Sequence, residues 1–349
     1  MITPHAPRVG VVLVNWRGWR DTLLSLETLF AGDYQAFDAV VVDNASGDDS
    51  VEHIHAWADG QECVVIPPEL SGRVAGRSTG SVVDSTILDE ANLATPFGTR
   101  VRLTIVRAAR NGGFAAGNNL ALDYLRRLGG YDYFWLLNND AFPAPAALTL
   151  LVARAEADPS LGQIGATLIY AGRPDIVQAL GGAVFEPRSG RAYHIGAETP
   201  LAAAAEIPLS DIEPRMSYVI GASILISAQF LQKVGLMEES YFLYFEELDW
   251  AERGKAEFGM GYARDALVYH KAGGSTQKKS RRSSLAAYYL ARNRIRVTKR
   301  FYPECLRSVL VEMTIETLRY VARRRWSEAN GFFRALREWV GFAFKVGRR

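Results

Sequence analysis

Apolar runs and helix-spaced apolar positions alternate through the first 170 residues. Val9–Val14 (VGVVLV) reads as a buried strand, and Thr22, Leu23, Leu26, Leu29 and Phe30 recur at helical spacing behind it. Ala39–Val42 (AVVV) predicts a second strand ending at Asp43, and Val51–Ala58 a short helix. Val64–Ile66, Leu103–Val106 and Tyr133–Leu137 predict further strands. This alternation implies an α/β fold, a parallel sheet with helices on both faces. Such sheets bind ligands beyond the carboxyl ends of their strands, so the residues just after each strand carry the chemical interest.

The rhythm breaks twice. Residues 67–100 are rich in Gly, Ser and Thr without a sustained period, which predicts a loop insertion between two strands. After Tyr170, short alternating pieces around Val177–Phe185 and Ala192–Ile195 predict hairpins, and Ala202–Ala205 a loop. Ser217–Ser227 (SYVIGASILIS) predicts a buried strand, residues 246–258 a helix, and Tyr262–Tyr269 a strand before His270. From Leu285 onward the pattern is helical. The division expected is a catalytic domain over 1–270 and a basic, mainly helical region over 271–349.

Charge sharpens that division. The net charge of +2 conceals 20 Lys and Arg against 5 Asp and Glu in residues 271–349, while the first 270 residues hold 20 against 33. So basic a region suits an anionic partner: nucleic acid, acidic lipid or a phosphorylated substrate. No RNA-binding motif accompanies it, which sets nucleic acid aside. The longest nearly uncharged apolar stretch, Tyr218 to Leu231, is shorter than the ~18 residues of a membrane span. Residues 1–8 lack the form of a secretory signal, and two cysteines, Cys63 and Cys305, fit a reducing cytoplasm.

Four strand ends carry polar residues with chemical potential. Asp43 opens the run DNASGD and either accepts hydrogen bonds from a ribose or base, or caps a helix. Asn111-Gly112-Gly113, with Gly117 and Asn118, stands between a strand and a helix, where backbone approaches phosphate or ribose, or simply turns. It is not G-x-G-x-x-G, which disfavours a hydride-transfer enzyme. Asn138-Asn139-Asp140 follows Leu137, and its carboxylate suits Mg²⁺ or Mn²⁺ completed by diphosphate oxygens, or an N-cap. Glu246, Glu247 and Asp249 follow an aromatic run that raises carboxylate pKa values as a general base requires, and they also suit a helix dipole.

Taken in order, these segments resemble the inverting family 2 glycosyltransferases of GT-A fold, in particular their bacterial rhamnosyltransferase-like branch. The resemblance runs through VGVVLVNW, VVVDNASGD, NGGFAAGNN, YFWLLNNDA, GASILIS, VGLMEESYFLYFEELDWAER, VYHKAGGS and YYLARNR, most of residues 9–300. It implies a GT-A type, Rossmann-like nucleotide-sugar-binding sheet. It implies that Asn15 and Asp43 contact the donor base, and that Asn111, Gly112, Gly113, Gly117, Asn118, Asn138 and Asn139 line the rest of the donor. Asp140 and His270 are implied as ligands of a divalent metal, Mg²⁺ or Mn²⁺. Asn138 replaces the first Asp of the family's Asp-x-Asp. Glu247 stands where the family has its base, usually Asp, with Glu246 and Asp249 as the alternatives.

The function implied is metal-assisted transfer of a sugar, with L-rhamnose suggested by the branch, from a nucleotide-diphosphate-sugar to a glycan or polyprenyl-linked acceptor with inversion. The alternative is a degenerate module that binds nucleotide-sugar without turnover. The expected location is cytoplasmic, peripheral on the inner face of the membrane. In the tail, Leu306, Val309, Leu310, Met313, Leu318 and Val321 form an apolar stripe, followed by Phe332, Phe333, Leu336, Trp339, Val340 and Phe344 among basic residues. This pattern predicts contact with an anionic membrane surface, or packing on the protein or on a second subunit as a homodimer.

Overall fold

A computed structural model describes residues 6–93, 100–271 and 284–346, with side chains to Trp339. The strands are β1 (Val9–Asn15), β2 (Phe37–Asp43), β3 (Ser85–Asp89), β4 (Leu103–Arg107), β5 (Tyr133–Leu137), β6 (Ala141–Pro143) and β7 (Leu161–Tyr170), then β8 (Val177–Leu180), β9 (Gly182–Glu186), β10 (Arg191–His194), β11 (Tyr218–Val219), β12 (Ser223–Ser227) and β13 (Gly259–His270). The helices are α1 (Trp19–Phe30), α2 (Ser50–Ala58), α3 (Gly113–Leu128), α4 (Ala147–Ala157) and α5 (Leu201–Ala204), then α6 (Ala228–Val234), α7 (Glu246–Gly254), α8 (Ser284–Phe301), α9 (Leu306–Ala322) and α10 (Trp326–Val346).

One sheet organises the molecule, in the order β3-β4-β2-β1-β5-β12-β7-β13-β6, with β8 on β7. From β3 to β5 the strands run parallel; β12 enters antiparallel between β5 and β7. The sheet is therefore mixed where the pattern predicted parallel, because β12 pairs antiparallel with β5. Both faces are covered, which explains the unbroken apolar runs. Val9, Val11 and Leu13 pack on Leu26 of α1 and Trp57 of α2. Val12 faces the other way, into a core with Leu122 and Leu125 of α3, Phe230 and Trp250.

Three local expectations change. Val64–Ile66 forms no strand, and the edge position belongs to β3, inside the segment read as a loop. Ser217–Ser227 is two strands, β11 in a small sheet with β9 and β10, and β12 in the large one. Ala202–Ala205 overlaps the short helix α5 rather than a loop.

Helices α8, α9 and α10 share a core of Ala287, Ala291, Ile295, Val309, Met313, Phe332 and Ala335. The stripe predicted to meet a membrane is thereby divided. Val309 and Met313 are fully buried and Leu306 and Leu310 pack against them, as do Phe332, Leu336 and Trp339, whereas Leu318, Val321 and Phe333 are exposed. The side chains of Val340 and Phe344 lie outside the described residues.

Candidate active site

The strand ends of β1 and β2 are tied by a buried polar network. Asn15 Nδ2 donates to Asp43 Oδ1 at 2.8 Å, and Asn15 Oδ1 accepts from Thr22 Oγ1 at 2.9 Å. Asp43 Oδ2 accepts from the Ser46 N–H at 3.1 Å, and a carboxylate oxygen has room for a second donor. Asn139 lies behind this network, its amide donating to Thr22 Oγ1 at 3.1 Å.

Asn44, which the sequence did not single out, joins this corner to the start of α3. Its Nδ2 donates to Asn111 Oδ1 (3.1 Å) and Gly113 O (3.0 Å), and its Oδ1 accepts from Gly112 N–H (3.3 Å). Gly113 N–H donates to Asn111 Oδ1, and Phe114 N–H to Phe242 O at 2.8 Å. The first N–H groups of α3 are thus satisfied by protein, where a diphosphate had been expected. Gly113 has φ +87° and a Cβ there would fall 2.2 Å from Phe242 O, so only glycine admits the 238–245 loop so closely. Gly117 serves packing, since a Cβ would stand 2.8 Å from Val14 Cγ1. Asn118, expected at the donor, donates within its own helix to Phe114 O. Its neighbour Asn119 holds the loop instead, donating to Met237 O and accepting from Met237 N–H, both at 2.9 Å. A cavity of about 230 Å³ opens beside this junction, lined by Asn44, Glu90, Arg110, Gly112 and Glu239 among others. Asp140, Glu247 and His270 are not in its walls.

Asp140 and His270 are brought together by strand pairing. β6 lies antiparallel to β13 with His270 opposite Ala141, which sets His270 Nε2 3.1 Å from Asp140 Oδ1. Asn138 Nδ2 is 3.5 Å from the same nitrogen. His270 is 8% exposed, and its Nδ1 faces Gln178 Oε1 of β8 at 2.9 Å. The Gln178 amide oxygen accepts from Nδ1, which leaves Nε2 as the ring nitrogen turned toward Asp140. A carboxylate oxygen and an imidazole lone pair about 3 Å apart are complementary to a cation. That is roughly the spacing of neighbouring corners of an octahedron with ~2.1 Å bonds. Among the described residues no group of three or more His, Cys, Asp or Glu forms a metal cluster. An ion held by this pair would draw its other donors from elsewhere, as ions shared with phosphates do.

The carboxylates of α7 separate into three situations. Asp249 is fully buried and saturated: Oδ1 accepts from Arg253 Nε at 2.9 Å, Oδ2 from Tyr241 Oη (3.0 Å) and Arg300 Nη1 (2.8 Å). It is a structural anchor and not a free base. Glu246 is 2% exposed, and its Oε2 is buried without a hydrogen-bond partner. Burial, then the charge of Glu247, pushes its carboxyl well above the usual range. Glu247 is partly exposed, and burial of its carboxylate raises its pKa, opposed by its own N–H and that of Gly221. A Cβ on Gly221 would lie 2.2 Å from Glu247 Oε1, so the carboxylate rests on the backbone before β12. The next residue, Ala222, accepts from the Asn138 N–H at 3.0 Å. This short stretch of backbone therefore links the Glu247 carboxylate to the Asn138–Asp140 turn.

The loop before Glu246 is strained and externally braced. Phe242, Tyr244 and Phe245 have φ of +66°, +71° and +73°, unusual for bulky residues and frequent at functional sites. Asn293 of α8, fully buried, donates from Nδ2 to Tyr241 O (2.8 Å), Leu243 O (2.7 Å) and Tyr244 O (3.1 Å). Arg292 and Arg296 donate to Ser240 O, each at 2.6 Å. Nothing in the sequence marked this brace, since α8 carries Arg292, Arg294, Arg296, Lys299 and Arg300 around Asn293 and buries Arg294 and Thr298 as well.

Sheet order, the strand-end site and the inserted antiparallel strand define a GT-A type glycosyltransferase fold. A mannosyltransferase, PcManGT from Pyrobaculum calidifontis in complex with GDP-Man and Mn²⁺, shares it with a TM-score of 0.52 at 14% identity, over 95% of this chain and 86% of its own. TarS from S. aureus gives 0.50 at 11% identity, over 94% and 80%; GalNAc-T7 with UDP, GalNAc and Mn²⁺ gives 0.51 at 11%, over 77% and 44%. TarS in complex with UDP-GlcNAc gives 0.50 at 13%, over 93% and 75%. No protein-family model matches the chain, and no curated protein matches its sequence.

Proposed function

We propose that the protein is a metal-dependent glycosyltransferase that moves a sugar from a nucleotide-diphosphate-sugar to a hydroxyl of a glycan or lipid-linked acceptor, with inversion. The observation that carries this reading is the backbone link between Glu247 and the Asp140–His270 pair, at the strand ends where this fold binds ligands. Among the structural neighbours one holds GDP-Man with Mn²⁺, one UDP, GalNAc and Mn²⁺, and one UDP-GlcNAc, which favours a nucleotide-sugar donor here as well. L-rhamnose remains the sugar suggested by the resemblance of the sequence.

In this reading Glu247 accepts the proton of the acceptor hydroxyl as its oxygen attacks the anomeric carbon. The bond to the donor diphosphate breaks on the opposite face, which inverts the configuration. A raised pKa makes Glu247 the stronger base, and its two backbone N–H contacts keep the carboxylate oriented. Asp140 and His270 would hold the divalent ion, whose charge stabilises the leaving diphosphate. Gln178 fixes the His270 tautomer. Asn15 and Asp43 form the end of the site suited to the base and ribose, with Asn111 beside them. The test is release of nucleoside diphosphate across a panel of nucleotide-sugars with Mn²⁺ or Mg²⁺, repeated in EDTA. Turnover that ignores EDTA, or none with any donor, would remove the reading.

A further inference from the structure

Helix α9 is apolar on two opposite sides, and only one is used. Inward, Val309 and Met313 are fully buried against α8 and α10. Outward, Val311 (58% exposed), Ile315 (37%) and Leu318 (63%) follow one another at four and three residues, which places them on one face, and Val321 (41%) borders it. Arg307, one turn before Val311, and Arg319, one turn after Ile315, flank the same face. Arg323 and Arg324 follow at its end, and all four are exposed. Among the described residues none of these four arginines makes an ion pair.

The acidic residues of α9 are elsewhere. Glu316 binds Arg294 Nη1 at 2.9 Å and Arg191 Nη2 at 3.2 Å, and Glu312 lies 3.8 Å from Arg191. These pairs turn both carboxylates toward the body of the protein. The outer face therefore combines aliphatic side chains with four arginines, and its nearest carboxylates, Glu312 and Glu186, stand at its margin in the groove beside Arg307 and Val311, Glu312 drawn toward Arg191. Just past the arginines, Trp326 is 62% exposed, and seven residues on Phe333 is 60% exposed on the same face of α10.

We propose that this outer face of α9, extended by Trp326, docks the protein on an anionic bilayer surface. Aliphatic and indole side chains enter the boundary between headgroups and acyl chains, and guanidinium groups meet lipid phosphates. Attachment is to the surface, since among the described residues no helix is long and apolar enough to cross a membrane. A second copy of the chain fits the face poorly. A two-fold contact would set this arginine-rimmed surface against itself, four exposed arginines on each side with only the marginal Glu312 and Glu186 to offset them. The inference does not rest on the transferase reading.

The test is co-sedimentation of the full chain with phosphatidylglycerol–phosphatidylcholine vesicles and with phosphatidylcholine alone, together with two double variants. Leu318→Glu with Val311→Glu removes the apolar contact; Arg319→Glu with Arg323→Glu removes the charge. All four positions are exposed, so thermal unfolding should match the parent. The parent should bind the anionic vesicles, release them as salt rises toward about 0.5 M, and ignore the neutral ones. Each arginine near the leaflet raises partitioning roughly fivefold, so the charge variant should bind at least that much more weakly. Failure of the folded parent to bind anionic vesicles at low salt overturns the proposal, as does binding by both variants as tight as the parent's. A concentration-dependent dimer in light scattering that Leu318→Glu with Val311→Glu dissolves would assign the face to a second copy instead.

Discussion

The side-chain amide of Asn293 donates at 2.7 Å to the carbonyl oxygen of Leu243, fifty residues earlier, and its two other carbonyl contacts lie on either side of that residue. A helix of the basic region thus holds the backbone that presents Glu246 and Glu247. Asn293→Asp keeps the shape but replaces the donor with a carboxylate oxygen, an acceptor facing three acceptors. Stability should fall by roughly 1–3 kcal/mol for each carbonyl left unsatisfied. With saturating donor, kcat should drop more than donor affinity does; unchanged kcat in a folded variant would count against a positioning role.

Gln178 offers a finer probe of the metal pair than either ligand. Asp140→Asn should abolish metal-dependent activity with the fold intact, as seen by circular dichroism. Gln178→Leu should weaken Mn²⁺ binding about 10–100-fold by titration calorimetry, because nothing then fixes the His270 tautomer. Equal affinity in Gln178→Leu and the parent would separate His270 from the metal.

Glu247→Gln retains size and loses basicity. Transfer should fall by roughly 10²–10⁴-fold while donor binding is kept. Activity that survives Glu247→Gln but not Glu246→Gln would move the base one residue back. Asp249→Asn should act on stability, since it removes charge from the contacts with Arg253 and Arg300.

Glu246 predicts a pH dependence of stability. Burial raises its folded pKa above the unfolded value, so the folded state favours the protonated form. Its contribution is fully present below the unfolded pKa and is lost as pH rises toward the folded one. Glu246→Gln should therefore unfold at a higher temperature than the parent at neutral pH, with the difference vanishing in acid. A gap that widens as pH falls would reverse the sign and reject the assignment.

Much of the fold was legible because burial writes itself into composition. β1, β2, β4 and β5 each carry a largely apolar run, since both faces of the sheet are covered. Val64–Ile66 looked similar but has no strand partner, whereas β3, with only Ile87 and Leu88 strongly apolar, is made a strand by pairing with β4. Period failed for α9, because a helix apolar on opposite sides does not say which side is inside. Of the candidate residues, Asp140 and His270 stand out in the sequence as polar residues at strand ends, and Glu247 as a carboxylate after an aromatic run. Asn44, Asn119, Gln178 and Asn293 were not, since each acts on backbone or side chains distant in sequence. Nothing local distinguished Asp249 from its neighbours; its partner Arg300 lies on another helix.

The placement of β3 bears on any attempt to shorten this protein. Its parallel pairing along the whole of β4 covers backbone donors and acceptors that would otherwise form the open border of the nine remaining strands. Excising the Gly- and Ser-rich stretch that contains it would bare a flat row of unpaired amides beside Ile105 and Val106, an invitation to strand exchange between molecules. The segment that looks most dispensable in the sequence supplies the sheet's border strand, and without it that border passes to the apolar β4.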